Sequence, residues 1–286
     1  MLRHSLFIIN YFYLSNILWT IRSPGQMYIY FPCHPNPIYS KQPNNVQEIT
    51  MKKELCLVIP VYNESAAIKN VLQSWEDYLS RYSIDFDIHV YNDGSKDNTI
   101  DILTKEAQKY SNLFIHDKKN SGHGPTILLG YNENKDDYDW IFQIDSDNEM
   151  LPDDFIKLWS KRSDYDFLIG KRNHRVQSKA RYMISRISRI TVSLLFGKTI
   201  WDVNSPYRLM RTSAFRNIFP LIPANTLAPN IIISGFIGIK RLKFYETLVN
   251  HQCRTTGEVS IKKWKLFKFA VKAFWQTVWF RFTLKN

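Results

Sequence analysis

The chain has 286 residues, 44% of them hydrophobic and 15% aromatic, and carries a formal net charge of +12. That permits one large domain or two small ones with a substantial core, and no internal repeat or low-complexity tract is present. Cys33, Cys56 and Cys253 are too few and too scattered for a disulfide framework or a zinc site, which fits a reducing compartment.

The first fifty residues differ from the rest of the chain. An aromatic-rich apolar stretch, Leu6 to Trp19, precedes a polar piece dotted with Pro24, Pro32, Pro35, Pro37 and Pro43. It has neither helical spacing nor a small-residue cleavage site, so a cleaved signal peptide is not expected. The expectation is that 1–50 is an extension, disordered or outside the native product, with Met51 as the start of translation. The alternative is a short membrane-associating anchor.

From Met51 the chain alternates between strand-like and helix-like stretches. Leu55 to Pro60 is a β-prone apolar run. Ser65 to Leu79 has helical spacing, with Ile68, Val71, Leu72, Trp75 and Leu79 on one face. Phe86 to Tyr91 is the next strand, and Asp97 or Asn98 can cap a helix reaching Lys109. Leu113 to His116 reads as strand, Gly124 to Asn134 as helix, and Trp140 to Ile144 as a short buried strand. Pro152 opens a helix to Lys161, a place where proline is tolerated. Phe167 to Gly170 is another strand. This order predicts an α/β fold, a mostly parallel sheet with helices on both faces. Beyond Gly170 the expectations are a long basic helix from Gln177 to Phe196, an irregular or strand-like Trp201 to Met210, an apolar Pro229 to Ile239, and a strand at Lys243 to Val249.

The most informative residues end one apolar run: Asp145-Ser146-Asp147. Two carboxylates one residue apart, where a strand gives way to a loop, can reach one cation together. Mg²⁺ typically takes one or two carboxylates plus substrate phosphates. In an open α/β sheet, ligands bind outside the carboxyl ends of strands. The pair therefore reads as a clamp for a metal and a diphosphate, against the alternative of a solvated acidic turn. Three other loops open on the same edge: Pro60 to Glu64, Asn92 to Thr99, and Asn120 to Gly124. Asp93 can accept from a base N–H. Gly94, Gly122 and Gly124 can let backbone approach a ligand.

Charge is distributed to match. From Lys161 to Arg216 there are thirteen Lys and Arg against three Asp, and from Lys240 onward eleven against two Glu. Such asymmetry predicts an anionic partner or a solvated basic surface.

In Val58-Ile59-Pro60-Val61-Tyr62-Asn63-Glu64, Asp93-Gly94-Ser95, Gly122-His123-Gly124, Asp145-Ser146-Asp147 and Gly170-Lys171-Arg172, the chain resembles family 2 of the inverting glycosyltransferases, which have the GT-A fold. The resemblance runs well from Leu55 to about Arg211 and weakens after it. The most similar branch is the dolichyl-phosphate-mannose-synthase-like enzymes. That branch implies a nucleotide-sugar donor (a UDP- or GDP-sugar), Mg²⁺ or Mn²⁺, and a polyprenyl phosphate acceptor.

Carried over by position, Pro60, Tyr62, Glu64, Asp93, Asp145 and Ser146 would face the donor. Asp145, Asp147 and Glu149 would face the metal, with Glu149 standing where the branch has glutamine. Asn92 replaces an aspartate, His123 a lysine, and Ser205-Pro206-Tyr207-Arg208 the branch's Ser-Gly-Phe-Arg. Arg254, Lys262 and Lys263 resemble the branch's basic loop over the diphosphate; the alternative is exposed surface cations. Arg172, Arg181 and Ser185 resemble its acceptor-phosphate site, and Arg suits bidentate phosphate contact. The alternative is a solvated helix face shared by Arg181, Arg186 and Arg189. Asp147 and Arg172 would serve catalysis. Asp202 is the base if the acceptor is instead a sugar hydroxyl, or else a helix or turn cap.

Ile261 to Phe282 sets Lys265, Lys268, Lys272 and Gln276 in one polar stripe on an aromatic helix. Such a helix can lie in a membrane interface with its lysines towards anionic headgroups; the alternative is a helix packed on the catalytic domain, or one that dimerises. Its uncharged stretch is too short to span. The expected organisation is therefore 1–50 extension, 51–260 catalytic domain, and 261–286 interface helix, peripheral at the inner face of the cell membrane in cell-envelope glycan synthesis. The expected reaction moves a sugar to a polyprenyl phosphate. Transfer to a glycan hydroxyl, an inactive nucleotide-sugar-binding protein and a nucleotidyltransferase are the rivals. A nucleic-acid partner is disfavoured, because the acidic edge would repel a phosphate backbone and no recognised motif is visible.

Overall fold

The computed structural model describes residues 13–14, 17–23, 26–30, 52–172, 179–197, 200–252 and 263–284, with the backbone alone for 13–30, 179–182, 184 and 263–266. The chain divides into two units, Met1–Lys52 and Lys53–Asn286. In the first, β1 (Tyr13–Leu14), β2 (Ile17–Ser23) and β3 (Gln26–Tyr30) form a small antiparallel sheet.

The second unit runs β4 (Lys53–Val61), α1 (Ile68–Arg81), β5 (Phe86–Asn92), α2 (Thr99–Ala107), β6 (Leu113–Asp117), α3 (His123–Asn134) and β7 (Tyr138–Gln143). A 3-10 turn at Pro152–Asp154 leads to α4 (Phe155–Trp159) and β8 (Phe167–Arg172). Then come α5 (Lys179–Phe196), β9 (Arg208–Arg211), α6 (Thr212–Phe215), α7 (Pro229–Ile239), β10 (Phe244–Val249) and α8 (Lys263–Thr283). Seven strands make one sheet in the order β10-β8-β9-β7-β4-β5-β6. All pairs are parallel except those of β9, which runs against β7 and β8. The α/β architecture with a mostly parallel sheet is the expected one.

β4 shows why its apolar run is uninterrupted. Successive side chains of a strand point to opposite faces, and a parallel strand is covered on both. Leu55, Leu57, Ile59 and Val61 enter the core on one face, while Cys56 and Val58 enter the core on the other. On the first face α1 buries Ile68, Val71, Leu72, Trp75 and Leu79, the whole stripe set by its 3.6-residue period. Trp75 sits at its centre, with ring centroids 5.3 Å from Phe142, 5.7 Å from Phe155 and 6.0 Å from Tyr207. The second face is covered by α3, α6 and α7, with Ala273 and Phe280 of α8 joining that core.

Three details differ from expectation. α4 begins one 3-10 turn after Pro152 and stops at Trp159. The apolar run Pro229 to Ile239 is a helix with proline at its first turn, buried almost all round. Gln276 leaves the lysine stripe of α8. Its Oε1 accepts the Leu227 N–H at 2.9 Å and its Nε2 donates to the Asn225 carbonyl at 3.1 Å, tying α8 to the chain before α7.

From Lys53 on β4 through Asp87 and His89 on β5 to Tyr138 on β7 and His116 on β6 runs a chain of polar groups, buried at Asp87, His89 and Tyr138, whose proton positions follow from its ends. The Lys53 ammonium donates to Asp87 Oδ1 at 2.7 Å and the Tyr138 hydroxyl to Asp87 Oδ2 at 2.6 Å. The Tyr138 oxygen therefore accepts from His89 Nε2–H at 2.9 Å, and His89 Nδ1 accepts from His116 Nε2–H at 3.0 Å. A second proton on His89 would oppose that of His116. Burial first, then the His116 charge, hold His89 down to about 4 from 6.5, against the pull of Asp87. Between those values the unfolded chain binds more protons than the native one, so stability falls as pH drops from 6.5 towards 4. Urea denaturation is expected to show a loss of about 2 kcal/mol from pH 7 to pH 5, and a smaller loss in His89→Gln.

Candidate active site

The carboxyl ends of β4, β5, β6 and β7 lie side by side, and their loops are fastened to one another by short polar side chains. In the first loop Asn63 has φ +54°, its N–H donates to Ser95 Oγ at 2.9 Å, and its Oδ1 accepts the Lys96 N–H at 2.8 Å. Asp97 caps α2 by accepting the Thr99 N–H and hydroxyl at 3.1 and 2.5 Å, and it also accepts the Ser65 N–H at 3.2 Å. Burial pushes the Asp97 carboxyl up, but those donors outweigh it and hold the group below its usual range. Of the residues expected to face the donor, Tyr62 is exposed, Glu64 is half-buried, and Pro60 and Ser146 are buried.

Asp93, expected to meet a base, is buried and holds the second and third loops together. Its Oδ1 accepts from Lys118 and from the Ser121 N–H at 2.8 Å; its Oδ2 accepts the Gly122 N–H at 2.8 Å. Burial raises this carboxyl, but Lys118 and the two N–H groups overcome that and lower it. A carboxylate has about four acceptor positions, so these three donors leave one, on Oδ2, for a base N–H. Lys118, the residue just after β6, went unread in the sequence.

Gly94 and Gly124 meet the protein's own backbone, whereas a Cβ on Gly122, at φ +97°, would meet nothing nearer than Pro125 Cδ at 3.9 Å. Gly94 has φ +66°, and a Cβ there would lie 2.9 Å from the Asn120 nitrogen. A Cβ on Gly124 would lie 2.2 Å from the Leu227 carbonyl oxygen. The close approach read as room for a ligand is made by the third loop and by the chain before α7.

Asp145 and Asp147 stand just beyond β7, both half-buried. Gln143 Nε2 donates to Asp145 Oδ1 at 3.4 Å, and His123 Nε2 lies 3.7 Å from the same oxygen. Asp147 Oδ1 accepts the Glu149 N–H at 3.2 Å, closing the turn in which Asn148 has φ +58°. Among the described residues no three His, Cys, Asp or Glu side chains form a ready-made cage. Two carboxylates that leave the remaining positions to phosphate and water are the donor set that Mg²⁺ or Mn²⁺ accepts, so the residues present fit the ion. Glu149 Oε2 lies 2.9 Å from His251 Nε2.

Beneath the turn, Gln143 Oε1 accepts from Tyr131 at 2.6 Å and from Asn230 at 2.8 Å. Arg208 pairs with Gln143 in register and is fully buried. Its guanidinium donates to the carbonyls of Ser205, Val203 and Asn230 at 2.6–3.2 Å. Burial lowers it to about 10, against Tyr131 and Asp202.

Arg172, at the end of β8, meets Asp202 in a two-pronged pair: Nε to Oδ2 at 2.8 Å and Nη2 to Oδ1 at 2.9 Å. The structure thus joins two residues expected to act separately. Beside them the exposed Trp201 ring carries Arg189 at 3.2 Å and Lys171 at 4.5 Å from its centroid, and the Trp201 backbone N–H donates to Glu246 Oε1 at 2.6 Å. Burial raises the Glu246 carboxyl in spite of that donor. Ser185 is half-buried on α5, and Arg181 lies one turn before it. Lys263 begins α8, while Arg254 and Lys262 lie outside the described residues.

Residues 56–219 match the model of the family described as Glycosyl transferase family 2. In sequence the chain is similar to the undecaprenyl-phosphate 4-deoxy-4-formamido-L-arabinose transferase of Serratia proteamaculans (strain 568). Identity is 27% over 187 residues, covering 62% of this chain and 57% of the relative. The transferase of the same description from Pseudomonas savastanoi pv. phaseolicola (strain 1448A / Race 6) is 25% identical over 209 residues, covering 72% and 60%. The chain thus spans less than two thirds of the length of these curated relatives. In fold it is similar to glucosyl-3-phosphoglycerate synthase from Mycobacterium tuberculosis, in a complex with Mn²⁺, UDP-glucose and phosphoglyceric acid. The TM-score is 0.57 at 13% identity, over 80% of each chain. S. aureus TarS with UDP-GlcNAc matches at a TM-score of 0.53 and 15% identity, over 79% and 66%.

Proposed function

The chain belongs to glycosyltransferase family 2, and from that premise we propose that it moves a sugar from a nucleotide-sugar to the phosphate of a polyprenyl phosphate. The observation that carries the reading is the Asp145–Asp147 pair at the carboxyl end of β7, beside three loops braced by Asp93 and Asp97. Asp145 and Asp147 would hold Mg²⁺ or Mn²⁺, which supplies Lewis-acid neutralisation of a departing nucleoside diphosphate. Solved proteins of similar fold bind UDP or a UDP-sugar, which supports a UDP-sugar over a GDP-sugar.

The acceptor follows from Arg172 and Asp202. A hydroxyl acceptor needs a base, but Asp202 gives both oxygens to Arg172. A phosphate is already anionic and needs a cation held in place. Arg172 is that cation, fixed by Asp202, with Ser185 and Arg181 on α5 as further contacts. The relatives' undecaprenyl-phosphate acceptor supports this choice.

A lipid acceptor requires a membrane surface. Met183, Ile187, Ile190 and Leu194 form one exposed apolar stripe on α5, flanked by Arg186 and Arg189. α8 exposes Phe267, Phe274, Trp275, Trp279 and Phe282 beside Lys268 and Lys272. Among the described residues no helix is long and apolar enough to cross a membrane. Apolar and aromatic side chains edged by cations suit the interface of an anionic leaflet, so the site belongs at the inner face of the cell membrane. Sedimentation with vesicles containing anionic lipid is expected to retain the wild type and to lose Leu194→Glu/Trp279→Glu about tenfold, on the cost of placing charge where apolar side chains insert.

The function itself is tested with UDP-, GDP- and dTDP-sugars, Mg²⁺ or Mn²⁺, and polyprenyl phosphate in vesicles. Lipid-dependent nucleoside diphosphate release supports the reading. Release driven by a glycan hydroxyl, release of pyrophosphate, or binding without turnover would each replace it.

A further inference from the structure

Three consecutive residues after β10 are fastened to the turn after β7. The Asn250 N–H donates to Asp154 Oδ2 at 2.6 Å, His251 Nε2 lies 2.9 Å from Glu149 Oε2, and the Gln252 N–H donates to the Glu149 carbonyl at 2.8 Å. β10 is an edge strand, with β8 and β9 between it and β7. Strands in a sheet are about 4.8 Å apart, so the two segments meet across roughly 14 Å of the sheet's carboxyl edge. This is the edge on which Asp147 and Arg172 stand. The His251 side chain is 11% exposed and that of Glu149 26%, so the contact is sheltered.

A carboxylate only accepts, so His251 Nε2 carries the hydrogen of that bond. Both Oε2 and the backbone carbonyl of Glu149 thus meet the strap at 250–252. The chain continues from this strap to Arg254 and Lys262, the cations expected near the diphosphate.

We propose that Glu149 and His251 are positioning residues. They form a clasp that sets the strap after β10 against the Asp145–Asp147 turn, and thereby the donor's diphosphate site, while the metal rests on the two aspartates. This rests on the nucleotide-sugar reading of the site.

The test uses the full chain with His251→Ala, His251→Gln and Glu149→Gln, read by amide hydrogen exchange over 145–154, by Mn²⁺ titration, and by UDP titration at saturating Mn²⁺. His251→Ala is expected to speed exchange in that turn and to weaken UDP about tenfold, the usual scale for losing a group that orients ligands. His251→Gln, which keeps a donor, restores both. Glu149→Gln, which keeps an acceptor, leaves Mn²⁺ affinity within about threefold. A tenfold loss of Mn²⁺ in Glu149→Gln would make Glu149 a ligand and overturn the proposal. Unchanged exchange in His251→Ala, or faster exchange with UDP affinity intact, would overturn it too. If the wild type binds no nucleotide, the donor reading fails, and a positioning role for the clasp fails with it even where exchange shows that the clasp forms.

Discussion

Replacing Asp147 with alanine is expected to slow nucleoside diphosphate release by about a hundredfold or more while leaving the protein folded, the scale seen when one element of charge stabilisation is removed. Asp147 is half-buried on a turn and lies outside both hydrophobic cores. The hydrogen bond it accepts from Glu149 N–H is long, at 3.2 Å, and a bond of that kind contributes about 1 kcal/mol. The departing diphosphate, by contrast, gains charge that two carboxylates and their cation must balance, and half of that anchor is lost. Asp147→Asn separates the two contributions. Its amide oxygen can still accept the Glu149 N–H, so the turn survives, but it offers no anionic oxygen to a hard cation. Thermal melting should match the wild type for Asp147→Asn and fall by about 2–4 °C for Asp147→Ala, and turnover should be lost in both. Turnover within threefold of wild type would move the metal away from Asp147.

What could be read from the sequence divides along the range of the interactions. The strand runs and the buried face of α1 follow from local periodicity, and the structure places Ile68, Val71, Leu72, Trp75 and Leu79 in the core as expected. α7 was only an apolar run, because a helix covered on nearly all sides has no polar face to mark its period. The antiparallel insertion of β9 between β7 and β8 was invisible: four residues carry no direction, and their pairing depends on where the chain returns. At the site, residue types and loop order were legible, whereas partners were not. Asp93 and Lys118 are 25 positions apart, Arg172 and Asp202 are 30, and nothing local says that they meet. A signal for Lys118 did exist: it follows the third strand directly, on the edge where ligands gather. None existed for His251, whose contact with Glu149 depends on the strap reaching over β8 and β9.

Arg208→Met is expected to destabilise the protein by about 2–4 kcal/mol, the scale for losing hydrogen bonds from a charged donor and leaving a buried carbonyl unmet. Buried arginines paired with carboxylates can be exchanged, with their partners, for apolar side chains at little cost. Arg208 differs because its hydrogen-bond partners are backbone. The carbonyls of Val203, Ser205 and Asn230 cannot be mutated away; methionine would leave that of Ser205 buried without its donors, at about 1–3 kcal/mol before relaxation, while those of Val203 and Asn230 would keep the Ser234 hydroxyl. These three carbonyls belong to separate pieces of the site: the loop bearing Asp202, its return into β9, and the start of α7. Asn230 also donates to Gln143, two residues before Asp145. Loss of Arg208 should therefore loosen the Asp202 loop from the strand beside β7, and activity should fall further than the folded fraction does. Arg208→Lys keeps the charge but has three donors in place of five, so it should recover part of the stability. Urea denaturation followed by tryptophan fluorescence, with turnover measured on the folded fraction, checks both parts. A loss under about 1 kcal/mol for Arg208→Met would mean that water takes over the Ser205 carbonyl, and that the Arg172–Asp202 pair and the Ser205 and Ser234 hydroxyls hold the loop without Arg208.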